Sequence, residues 1–410
     1  MSAHDELVVG LEIGTSKICV LVGELVETGA VSIVGMGVSA SRGVRKGEIV
    51  DFRLASDAIR EAVARAENNC EVEIGSVFLS VTGSHIASFD SMGTVAITNA
   101  EGAVEQDHME RAIELAKNVS LPRDHEIVHT IRQQFYVDGN SGVVNPLRIS
   151  GRMLEAEVHV VHGIATRLQN SVRAVVALDI DVEDIVLSGL ASGLAVLDRE
   201  QKNLGALVID IGGGTTDYVA YASGAIRHAG VVAVGGDHVT NDLALGLKIP
   251  AGKAHILKDQ HGRVDQPPAQ IEDRPLELPE DFGFATRTCS FRDLCAVMRC
   301  RYEELFQIIR DKLAAKNLKE FFGSGVILTG GASRARGIIA LAEDVFELPA
   351  TLGMPRGYVG LKTATDTPEC ATAAGLIRYA FRARRARGDT GSRPGGGRWP
   401  HWPWPSRVGR

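Results

Sequence analysis

Two segments far apart in the chain share one pattern of apolar and polar positions. Each has an apolar run that ends in a carboxylate and one further apolar residue, then a turn of glycine and hydroxyl residues, then a second β-rich run; the segments are 8–22 and 206–221. Two apolar runs joined by a glycine turn are typical of a β-hairpin. The repeat therefore predicts two hairpins whose tips have equivalent chemistry.

The rest of the chain is mainly an alternation of predicted strands and helices. A strand of buried type at 326–329 runs into a glycine pair, and a helix is predicted at 337–345. Residues 259–290 are polar and proline-rich without sustained periodicity, which predicts a surface excursion. Further predicted elements are helices at 105–118, 239–245 and 291–318, and strands at 126–135 and 153–161.

Composition places the chain among ordinary globular proteins. Of its 410 residues, 45% are hydrophobic and 23% are charged, which excludes a wholly disordered chain and a multi-span membrane protein. The longest nearly apolar run, residues 185–197, is too short for a bilayer span of about 18 to 20 residues. Six cysteines lie scattered without a C-x-x-C pair, and the N-terminus lacks a basic flank and a cleavage site. We therefore expect a reduced, cytoplasmic protein.

The net charge of −7 conceals two regions of opposite sign. Residues 376–410 carry nine arginines and one acid, a local charge of +8 that leaves −15 on the rest of the chain. An acidic body repels the phosphate backbone, so we expect no nucleic-acid partner.

The hairpin tips have the residue types of a phosphate site. Glycine lets backbone N–H groups approach a ligand closely, and serine and threonine add hydroxyl donors. A carboxylate just before the turn can hold Mg²⁺ through water molecules. Glu12 and Asp210 occupy that position, and Asp210 is the candidate for positioning a metal-bound water. The candidate phosphate ligands are Gly14, Thr15, Ser16, Lys17, Gly212, Gly213, Gly214, Thr215 and Thr216.

Each of these features also has an ordinary structural interpretation. Glycine is common at hairpin tips that bind nothing, Lys17 is also consistent with a solvated strand residue, and Asp217 with a turn-capping acid. The glycine pairs at 330–331 and 235–236 fit a strand-to-helix junction and a loop before a helix. Two matched copies of the turn nevertheless favour the phosphate interpretation.

The order of these motifs resembles the actin-like ATPase superfamily, which includes actin, sugar kinases and heat-shock chaperone ATPases. The closer resemblance is to the FtsA family of bacterial cell-division proteins. The segments that carry it are VVGLEIGTSK (8–17), SRGVRKGEIVD (41–51), VFLSVTGSHI (77–86), GLASGLAVL (189–197), VIDIGGGTTD (208–217), RYEEL (301–305), VILTGGASRARGI (326–338) and ATAAGLIRY (371–379). They cover nearly the whole chain up to about residue 386.

The resemblance implies an α/β actin-like fold of two lobes, each on a five-stranded mixed sheet, with ATP and Mg²⁺ in the cleft between them. The connecting helices near 185–197 and at 372–386 would form the hinge. The inserted FtsA-type subdomain would serve contacts between neighbouring subunits, with an insertion that packs only on its own lobe as the alternative. The implied division is a first lobe of 1–83, 163–203 and 351–387, an insert of 84–162, a second lobe of 204–232 and 296–350, a small subdomain of 233–295, and a disordered basic tail of 388–410.

Further site residues follow from the resemblance alone. Arg287 and Arg301 match family positions implicated in docking the acidic C-terminal peptide of the tubulin-like ring protein FtsZ, and guanidinium groups pair well with carboxylates. Helix arginines that are merely solvated are the alternative. The residues implied to contact the adenosine and the rest of the nucleotide are Gly235, Gly236, Lys258, Gly330, Gly331 and Ala332.

Three positions depart from the family pattern. Glu12 stands where the superfamily usually has aspartate, which moves the carboxylate outward by about one bond. His255 stands where a family glutamate would contact the ribose. Cys300 replaces a proline before Arg301, so the helix there is expected to continue without a kink.

The function implied by the resemblance is that of a nucleotide-dependent scaffold. It would bind ATP, self-associate, contact other division proteins, recruit FtsZ and link it to the inner face of the cytoplasmic membrane at the division site, with at most slow ATP hydrolysis. A small-molecule kinase of the same fold is one alternative, but it needs a carboxylate base for an acceptor hydroxyl, and no separate motif supplies one. A pilus-assembly relative is another alternative.

The C-terminal region departs furthest from the family, whose members usually end in a linker and a short amphipathic membrane helix. Here residues 376–387 predict a basic helix, and Gly395, Gly396 and Gly397 end it. The following RWPHWPWP (398–405) cannot be helical because of its prolines. Tryptophan with arginine suits an interfacial membrane anchor, whereas an out-of-frame or truncated end is the alternative.

Overall fold

The computed structural model of the chain describes residues 7–26, 30–143, 145–278, 287–360 and 365–390. Strands and helices alternate along most of this length. The strands are β1 Leu7–Ile13, β2 Lys17–Leu25, β3 Val31–Ala40, β4 Val44–Arg45, β5 Glu48–Ile49, β6 Ser76–Val81, β7 Ala87–Ala96, β8 His125–Val137, β9 Asn140–Val143, β10 Met153–Ile164, β11 Asp181–Leu187, β12 Ala206–Ile211, β13 Thr216–Ala222, β14 Ala225–Val232, β15 Pro275–Leu278, β16 Arg287–Ser290, β17 Val326–Thr329, β18 Ala350–Leu352 and β19 Tyr358–Gly360. The α-helices are α1 Phe52–Cys70, α2 Gln106–Lys117, α3 Ala165–Val176, α4 Ser188–Val196, α5 Arg199–Leu204, α6 Gly236–Gly246, α7 Ala251–His261, α8 Phe291–Ala314, α9 Ile338–Phe346 and α10 Ala371–Thr390.

The first lobe is built on a mixed sheet with the strand order β11-β6-β1-β2-β3-β19. β1 and β2 form the first predicted hairpin, with Ile13 opposite Ile18 beside the turn. α10 packs on β1 and α1 packs on β3, so the apolar side chains of the central strands are buried. The expectation of five strands is wrong for this lobe. In the part of the chain that the structure describes, β19 adds a sixth strand parallel to β3, with Tyr358 opposite Val31.

The second lobe has a sheet with the order β14-β13-β12-β17-β18, the five strands expected. β12 and β13 form the second predicted hairpin, with Ile211 opposite Thr216 beside the turn. β17 lies parallel to β12 and places Thr329 next to Asp210. The glycine pair after β17 therefore lies beside the second hairpin turn.

The predicted helix near 185–197 is only partly helical. Residues 185–187 belong to β11, and α4 begins at Ser188. The error has a physical cause, because a continuous apolar run does not distinguish a buried strand from a buried helix. α10 crosses α4 closely, since a Cβ atom on Gly375 would lie 1.7 Å from the Ala191 carbonyl oxygen. Small residues thus permit the close crossing that the hinge prediction requires.

The small subdomain of the second lobe contains α6, α7 and the start of α8. Residues 259–290, predicted as a surface excursion, instead include the β15–β16 hairpin, with Leu276 opposite Cys289. Val264, Ile271 and Leu276 are buried in the core of this lobe. Strands of four residues between prolines are too short to show a clear alternation of apolar and polar positions.

The long helix predicted at 291–318 is observed as α8, which ends four residues earlier, at Ala314. Its N-terminus is capped by Ser290, whose hydroxyl oxygen accepts a hydrogen bond from Asp293 N at 3.0 Å. α8 continues through Cys300, which is exposed, as expected from the missing proline. The helix carries a buried face that includes Leu294, Met298 and Leu305.

The inserted subdomain is a separate sheet with the order β7-β10-β8-β9, covered on one face by α2. Gly93 on β7 allows the close approach of α2, because a Cβ atom there would lie 2.1 Å from the Ala112 carbonyl oxygen. The core between helix and sheet contains Val95, Phe135 and Leu154. These elements match the predicted helix and strands of the insert.

The insert also contacts the second lobe. Ser88 Oγ on β7 donates a hydrogen bond to the Ala229 carbonyl oxygen on β14 at 2.6 Å. Arg227 on β14 forms an ion pair with Glu157 on β10 at 3.6 Å and donates to Gln134 Oε1 on β8 at 3.3 Å. Because residues before β7 and after β10 belong to the first lobe, the insert bridges both lobes. An insertion packed only on its own lobe is therefore excluded.

The C-terminal predictions are only partly covered by the structure. α10 extends through residues 388–390, which had been assigned to a disordered tail. The remainder of the tail, including the tryptophans at 399, 402 and 404, lies outside the described residues. Among the helices in the described ranges, none has the length and apolar character needed to cross a membrane.

Candidate functional site

The two hairpin turns face each other across a cleft between the lobes. A Cβ atom on Gly213 would lie 1.9 Å from Ser16 Oγ, and one on Gly214 would lie 2.5 Å from Thr15 Oγ1, so the two turns approach each other closely at these glycines. A cavity of about 600 Å³ opens at the turns. The predicted site residues that line it are Glu12, Gly14, Thr15, Ser16, Lys17, Asp210, Gly212, Gly213, Gly214, Thr215, Gly236, Lys258, Gly330, Gly331 and Ala332.

Both turns present backbone donors to this cavity. Each turn is closed by one backbone hydrogen bond, of 3.0 Å in the first and 2.9 Å in the second. The cavity-lining backbone N–H groups that donate to no other residue within the described ranges include those of Thr15, Ser16, Gly213 and Gly214. Convergent N–H groups with neighbouring hydroxyls form a concave surface that suits phosphate oxygens.

The start of α6 is hydrogen-bonded to the backbone carbonyl groups of the second turn. Gly236 N donates to the Gly212 carbonyl oxygen at 2.9 Å, and Asp237 N donates to that of Gly213 at 2.8 Å. Gly236 and Asp237 line the cavity, whereas Gly235, predicted as a nucleotide ligand, does not. A Cβ atom on Gly235 would lie 2.5 Å from the Gly212 carbonyl oxygen, so this glycine permits close packing against the turn.

Thr216 is a second predicted phosphate ligand that lies outside the cavity. It is fully buried, and its hydroxyl donates to the Val234 carbonyl oxygen at 2.8 Å. The reason is strand geometry: successive side chains on β13 point to opposite faces. Asp217, the next residue, therefore lines the cavity in its place.

Asp210 lies at the floor of the cleft. Its carboxylate accepts a hydrogen bond from Thr372 Oγ1 at 2.9 Å and another from the Ser192 hydroxyl. Burial raises the pKa of Asp210 above its ordinary value, and these two hydrogen bonds oppose the shift. The residue is thus fixed in position by α4 and α10, one helix from each side of the hinge.

Glu12 and Lys17 form the charged part of the first hairpin. Burial raises the pKa of Glu12 to about 7, against the opposing effect of Lys17. Burial works to lower the pKa of Lys17, but the charges of Glu12, Cys19, Cys370 and Glu369 together outweigh it, so that pKa is raised. Lys17 Nζ also donates to the Glu369 carbonyl oxygen at 2.5 Å. The interpretation of Lys17 as a solvated strand residue is therefore wrong.

Asp217 is the main functional candidate that the sequence interpretation missed. Burial raises its pKa well above the ordinary value, and the charge of Asp210 adds to the shift. Its Oδ2 accepts a hydrogen bond from Thr82 Oγ1 at 2.7 Å, while its buried Oδ1 has no partner in the described part of the chain. The alternation on β13 was the signal that would have found it.

Three further residues of the cleft were not predicted as site residues. Glu369 lines the cavity and pairs with Arg334 at 2.5 Å, and Thr82 and Thr372 also line it. These residues come from segments far apart in the sequence, and only the folded chain brings them together.

The other end of the cavity has the room and lining for a nucleoside. Gly330 follows β17 at φ +84°, and a Cβ atom there would lie 2.3 Å from Asp210 Oδ1. Tyr302 OH donates to the Ala332 carbonyl oxygen at 3.0 Å, and Lys258 Nζ donates to Thr240 Oγ1 at 3.0 Å. His255 lies at the mouth, where its side chain is 59% exposed, 3.5 Å from an Asp259 carboxylate oxygen.

Of the two arginines predicted to dock FtsZ, Arg301 does not line the cleft. Arg301 lies on α8 and already pairs within the chain, with Asp242 Oδ2 at 2.5 Å and with Glu304. Its side chain is 28% exposed, so the interpretation of a freely solvated arginine is wrong. The backbone of Arg287 begins β16, and its side chain lies outside the described ones.

The residues present fit a nucleotide triphosphate with Mg²⁺. Unpaired N–H groups and Lys17 suit the phosphates, and Gly213 lets the second turn approach Ser16 of the first closely. Glu12, Asp210 and Asp217 have raised pKa values because they are buried together, and a divalent cation would offset that cost. Within the described ranges, no three His, Cys, Asp or Glu side chains converge to hold a metal directly.

Comparisons with known proteins agree with this geometry. The family model described as cell division protein FtsA matches residues 207–375, and that of the SHS2 domain inserted in FtsA matches residues 83–162. The cell division protein FtsA of Pseudomonas aeruginosa is 36% identical over 376 residues, which cover 92% of this chain and 89% of that protein. The FtsA of Escherichia coli K12 is 34% identical over 381 residues, covering 91% and 90%.

Solved structures show the same fold at low identity. A chain of the PilM–PilN type IV pilus biogenesis complex aligns with a TM-score of 0.63 and 16% identity, over 91% of this chain and 98% of that one. MreB5 of Spiroplasma citri bound to ADP aligns with a TM-score of 0.51 and 14% identity, over 94% and 99%.

The two lobes, the paired glycine turns and the cleft define a protein of the actin-like ATPase fold. Within this class, the family is shown by the sequence identity to FtsA proteins over nine tenths of the chain and by the inserted SHS2 domain. The chain belongs to the FtsA family of bacterial cell division proteins.

Proposed function

We propose that the chain is an ATP-binding scaffold of the division site that self-associates, recruits FtsZ and links it to the inner face of the cytoplasmic membrane. The observation that carries the nucleotide part is the pair of facing turns with unpaired N–H groups. Thr15, Ser16, Lys17 and the glycines of the second turn would hold the phosphates. Gly330, Gly331 and Ala332 would hold the adenosine.

Mg²⁺ bound with ATP would supply a positive charge between the phosphates and the carboxylates of the cleft. Asp210 would orient a water on the metal, because Thr372 and Ser192 fix its carboxylate. Glu12 lies on the first hairpin, opposite Asp210 on the second. Its side chain is one methylene longer than the aspartate usual in the superfamily, so its carboxylate extends further from the backbone. These groups would position a metal-bound water and polarise the phosphates, which suits a nucleotide-dependent switch with at most slow hydrolysis.

FtsZ recruitment is proposed for the small subdomain. Arg301 is the candidate that binds a carboxylate of the FtsZ peptide, in exchange for its contact with Asp242. Arg287 begins the adjacent β16 and is the second candidate. This assignment relies on family membership and on charge complementarity.

Self-association is proposed to involve the inserted subdomain. Its surface includes large apolar side chains that are well exposed, among them Met92 (47%), Leu115 (50%) and Met153 (41%). Exposed apolar groups of this size on one small subdomain favour burial against another protein surface. Sedimentation of a Met92→Glu, Leu115→Glu double variant tests this part of the proposal, and an unchanged assembly state would contradict it.

The proposal as a whole is tested by co-sedimentation of the full chain with FtsZ polymers and with vesicles of phosphatidylcholine and phosphatidylglycerol. We expect the chain to pellet with each, and the amount to change when ATP and Mg²⁺ are added. FtsZ without its C-terminal peptide is the control for docking. If the chain pellets with FtsZ in no nucleotide state, the scaffold proposal is wrong; ATP turnover stimulated by a sugar or polyol would favour the kinase alternative.

Membrane linkage is proposed for the C-terminal region and has a separate test. We expect vesicle flotation to be weak, sensitive to salt and lost when residues 388–410 are removed, since guanidinium groups contribute about 1 kcal/mol each on anionic lipid. Salt-resistant flotation of the shortened chain would place the anchor elsewhere, with the basic residues 376–387 as the next candidate.

A further inference from the structure

A second cavity, of about 340 Å³, lies where α7 and the β15–β16 hairpin meet the start of α9. The charged and aromatic residues that line it are Arg263, Arg274, Arg336, His261, Asp265 and Phe291. None of the residues predicted to bind nucleotide or FtsZ lines this cavity. Of these six residues, only Arg336 also lines the nucleotide cleft.

The backbone brings the arginines together from three separate segments. Val264 N donates to the Arg336 carbonyl oxygen at 2.9 Å, which makes a short parallel bridge between Arg263 and Arg336. Phe291 N donates to the Arg274 carbonyl oxygen at 2.9 Å, and the Arg274 guanidinium lies 4.6 Å from the centre of the Phe291 ring. The convergence therefore depends on the fold and not on a flexible loop.

The positive charge of this cavity is only partly neutralised. Asp265 binds Arg263, with Arg263 Nε donating to Asp265 Oδ1 at 2.7 Å. Within the described ranges, no carboxylate forms an ion pair with Arg274 or Arg336. Gly337 also lines the cavity and begins α9, so the positive end of that helix dipole adds to the potential.

We propose that this cavity binds a phosphoryl group held by Arg274 and Arg336. Guanidinium groups donate in pairs to phosphate oxygens, and a tetrahedral anion offers oxygens to forks that approach from different directions. A planar carboxylate is matched by a single guanidinium group, and the cavity already contains such a pair, formed by Asp265 and Arg263. The volume lies at the lower end of the range for small-molecule sites, which suits one phosphorylated group.

Arg336 gives the cavity a route to the nucleotide cleft. A phosphoryl group bound to Arg336 in the second cavity would place negative charge beside a residue that also lines the first, and so change the electrostatic potential there. Binding at the two sites is then coupled, and each ligand changes the affinity of the other by the same factor. This coupling relies on the proposed ATP binding, whereas the phosphoryl site itself does not.

The test is a calorimetric titration of the full chain with inorganic phosphate, at an ionic strength held constant with chloride. It is done with wild type saturated with a non-hydrolysable ATP analogue and Mg²⁺, and with nucleotide-free Gly213→Val. The test variant is Arg274→Gln, Arg336→Gln. The matched control is Arg53→Gln, Arg310→Gln, which removes the same charge from two exposed positions of other surfaces.

We expect saturable binding that weakens by about tenfold or more in the test variant and stays unchanged in the control. Equal weakening in both variants, or no saturable binding at millimolar phosphate, would overturn the proposal. If the double variant unfolds, Arg336→Lys keeps the charge and loses the fork, and phosphate binding must still weaken. Failure of ATP binding would remove the coupling but leave the difference between the variants measurable.

The source of the phosphoryl group is separated by vesicles. The chain without residues 388–410 is mixed with phosphatidylcholine vesicles that contain phosphatidic acid or lack it. Flotation that needs phosphatidic acid and both Arg274 and Arg336 supports a lipid headgroup. Phosphate binding in solution that depends on these arginines, without such flotation, supports a soluble phosphorylated ligand. Flotation that is unchanged when both arginines are replaced contradicts a lipid-binding role of this cavity.

Discussion

Thr82 Oγ1 donates a hydrogen bond of 2.7 Å to Asp217 Oδ2 and so joins the two lobes across the cleft. Thr82 follows β6 of the first lobe, and Asp217 belongs to β13 of the second. Because Asp217 is buried, this bond is one of the few contacts that satisfy its carboxylate. The closed arrangement of the cleft is therefore stabilised at the position where the phosphates are expected.

Replacing Thr82 by valine tests this contact. Thr82→Val keeps the shape and removes the donor, so a buried carboxylate oxygen loses its partner at a cost of about 1 to 3 kcal/mol. We expect the free energy of unfolding in urea to fall by that amount. Thr82→Ser, which keeps the hydroxyl, is the control and should stay close to wild type. Equal stability of Thr82→Val and wild type would show that the bond contributes nothing.

Replacing Gly213 by valine tests the phosphate turns. The added Cβ atom would lie 1.9 Å from Ser16 Oγ, so the valine side chain would displace that hydroxyl and occupy space between the two turns. We expect binding of a fluorescent ATP analogue with Mg²⁺ to be abolished. Gly252→Ala is the matched control, because a Cβ atom on Gly252 meets no heavy atom within 4 Å in the described structure. Unchanged ATP affinity in Gly213→Val would contradict the assignment of the cleft.

The raised pKa of Glu12 predicts a pH dependence of stability in the absence of nucleotide and Mg²⁺. The folded chain keeps the proton up to a pKa of about 7, whereas the unfolded chain loses it near 4.5. The contribution of Glu12 to the free energy of unfolding therefore falls as the pH rises through this window. We expect Glu12→Gln to be more stable than wild type at pH 7, with the difference shrinking towards pH 4.5.

Urea unfolding at several pH values measures this difference. The exposed Glu101→Gln in the insert is the control and should leave the wild-type pH profile unchanged. Parallel profiles for Glu12→Gln and wild type would show that Glu12 does not titrate in this window.

The ion pair of Arg301 with Asp242 allows a test of FtsZ docking in both directions. Arg301→Glu should weaken binding of the FtsZ C-terminal peptide, more in low salt than in high salt, because exposed charges are screened over about 10 Å at 0.1 M. Asp242→Asn releases the guanidinium and should strengthen binding. Fluorescence anisotropy of the labelled peptide measures its affinity for both variants. Arg287→Glu tests the second docking candidate in the same way. Weaker binding in Asp242→Asn would show that Arg301 has only a structural role.

The bridge between the insert and the second lobe predicts a local change in backbone protection. Ser88→Ala removes the donor to Ala229, and we expect faster hydrogen exchange in β14 with little effect on β10. Ser91→Ala, on the same strand, is the control, since no hydrogen bond of its hydroxyl occurs in the described structure. Equal exchange rates in β14 of both variants would mean that this contact does not hold the insert.

The sequence predicted those parts of the site that depend on local pattern. Both hairpins and the strand before Gly330 were found because a short apolar run and a glycine turn need no distant information. The position of Thr216 outside the cavity could not be predicted, because the composition of the turn does not show which strand face each residue occupies. The β15–β16 hairpin was missed, because its strands are too short for a period to appear.

Other parts of the site could not be read from sequence at all. Glu369 and Thr372 reach the cleft from near the C-terminus; no motif marks Glu369, and the segment 371–379 that contains Thr372 does not show that this hydroxyl faces Asp210. Arg301 looked like an exposed arginine until the fold placed Asp242 beside it on α6. Such pairs depend on tertiary contacts, which a pattern along one segment does not contain.

The contacts of the insert have a mechanical consequence. The insert is anchored to the first lobe at both ends and hydrogen-bonded to β14 of the second, so it closes a ring of contacts around the hinge. If the lobes separate, either the insert tilts or the Ser88 and Arg227 contacts break. Under the proposed self-association, a neighbouring molecule bound to the insert would be coupled to the opening of a cleft that it does not touch, and nucleotide in the cleft would change its affinity by the same factor.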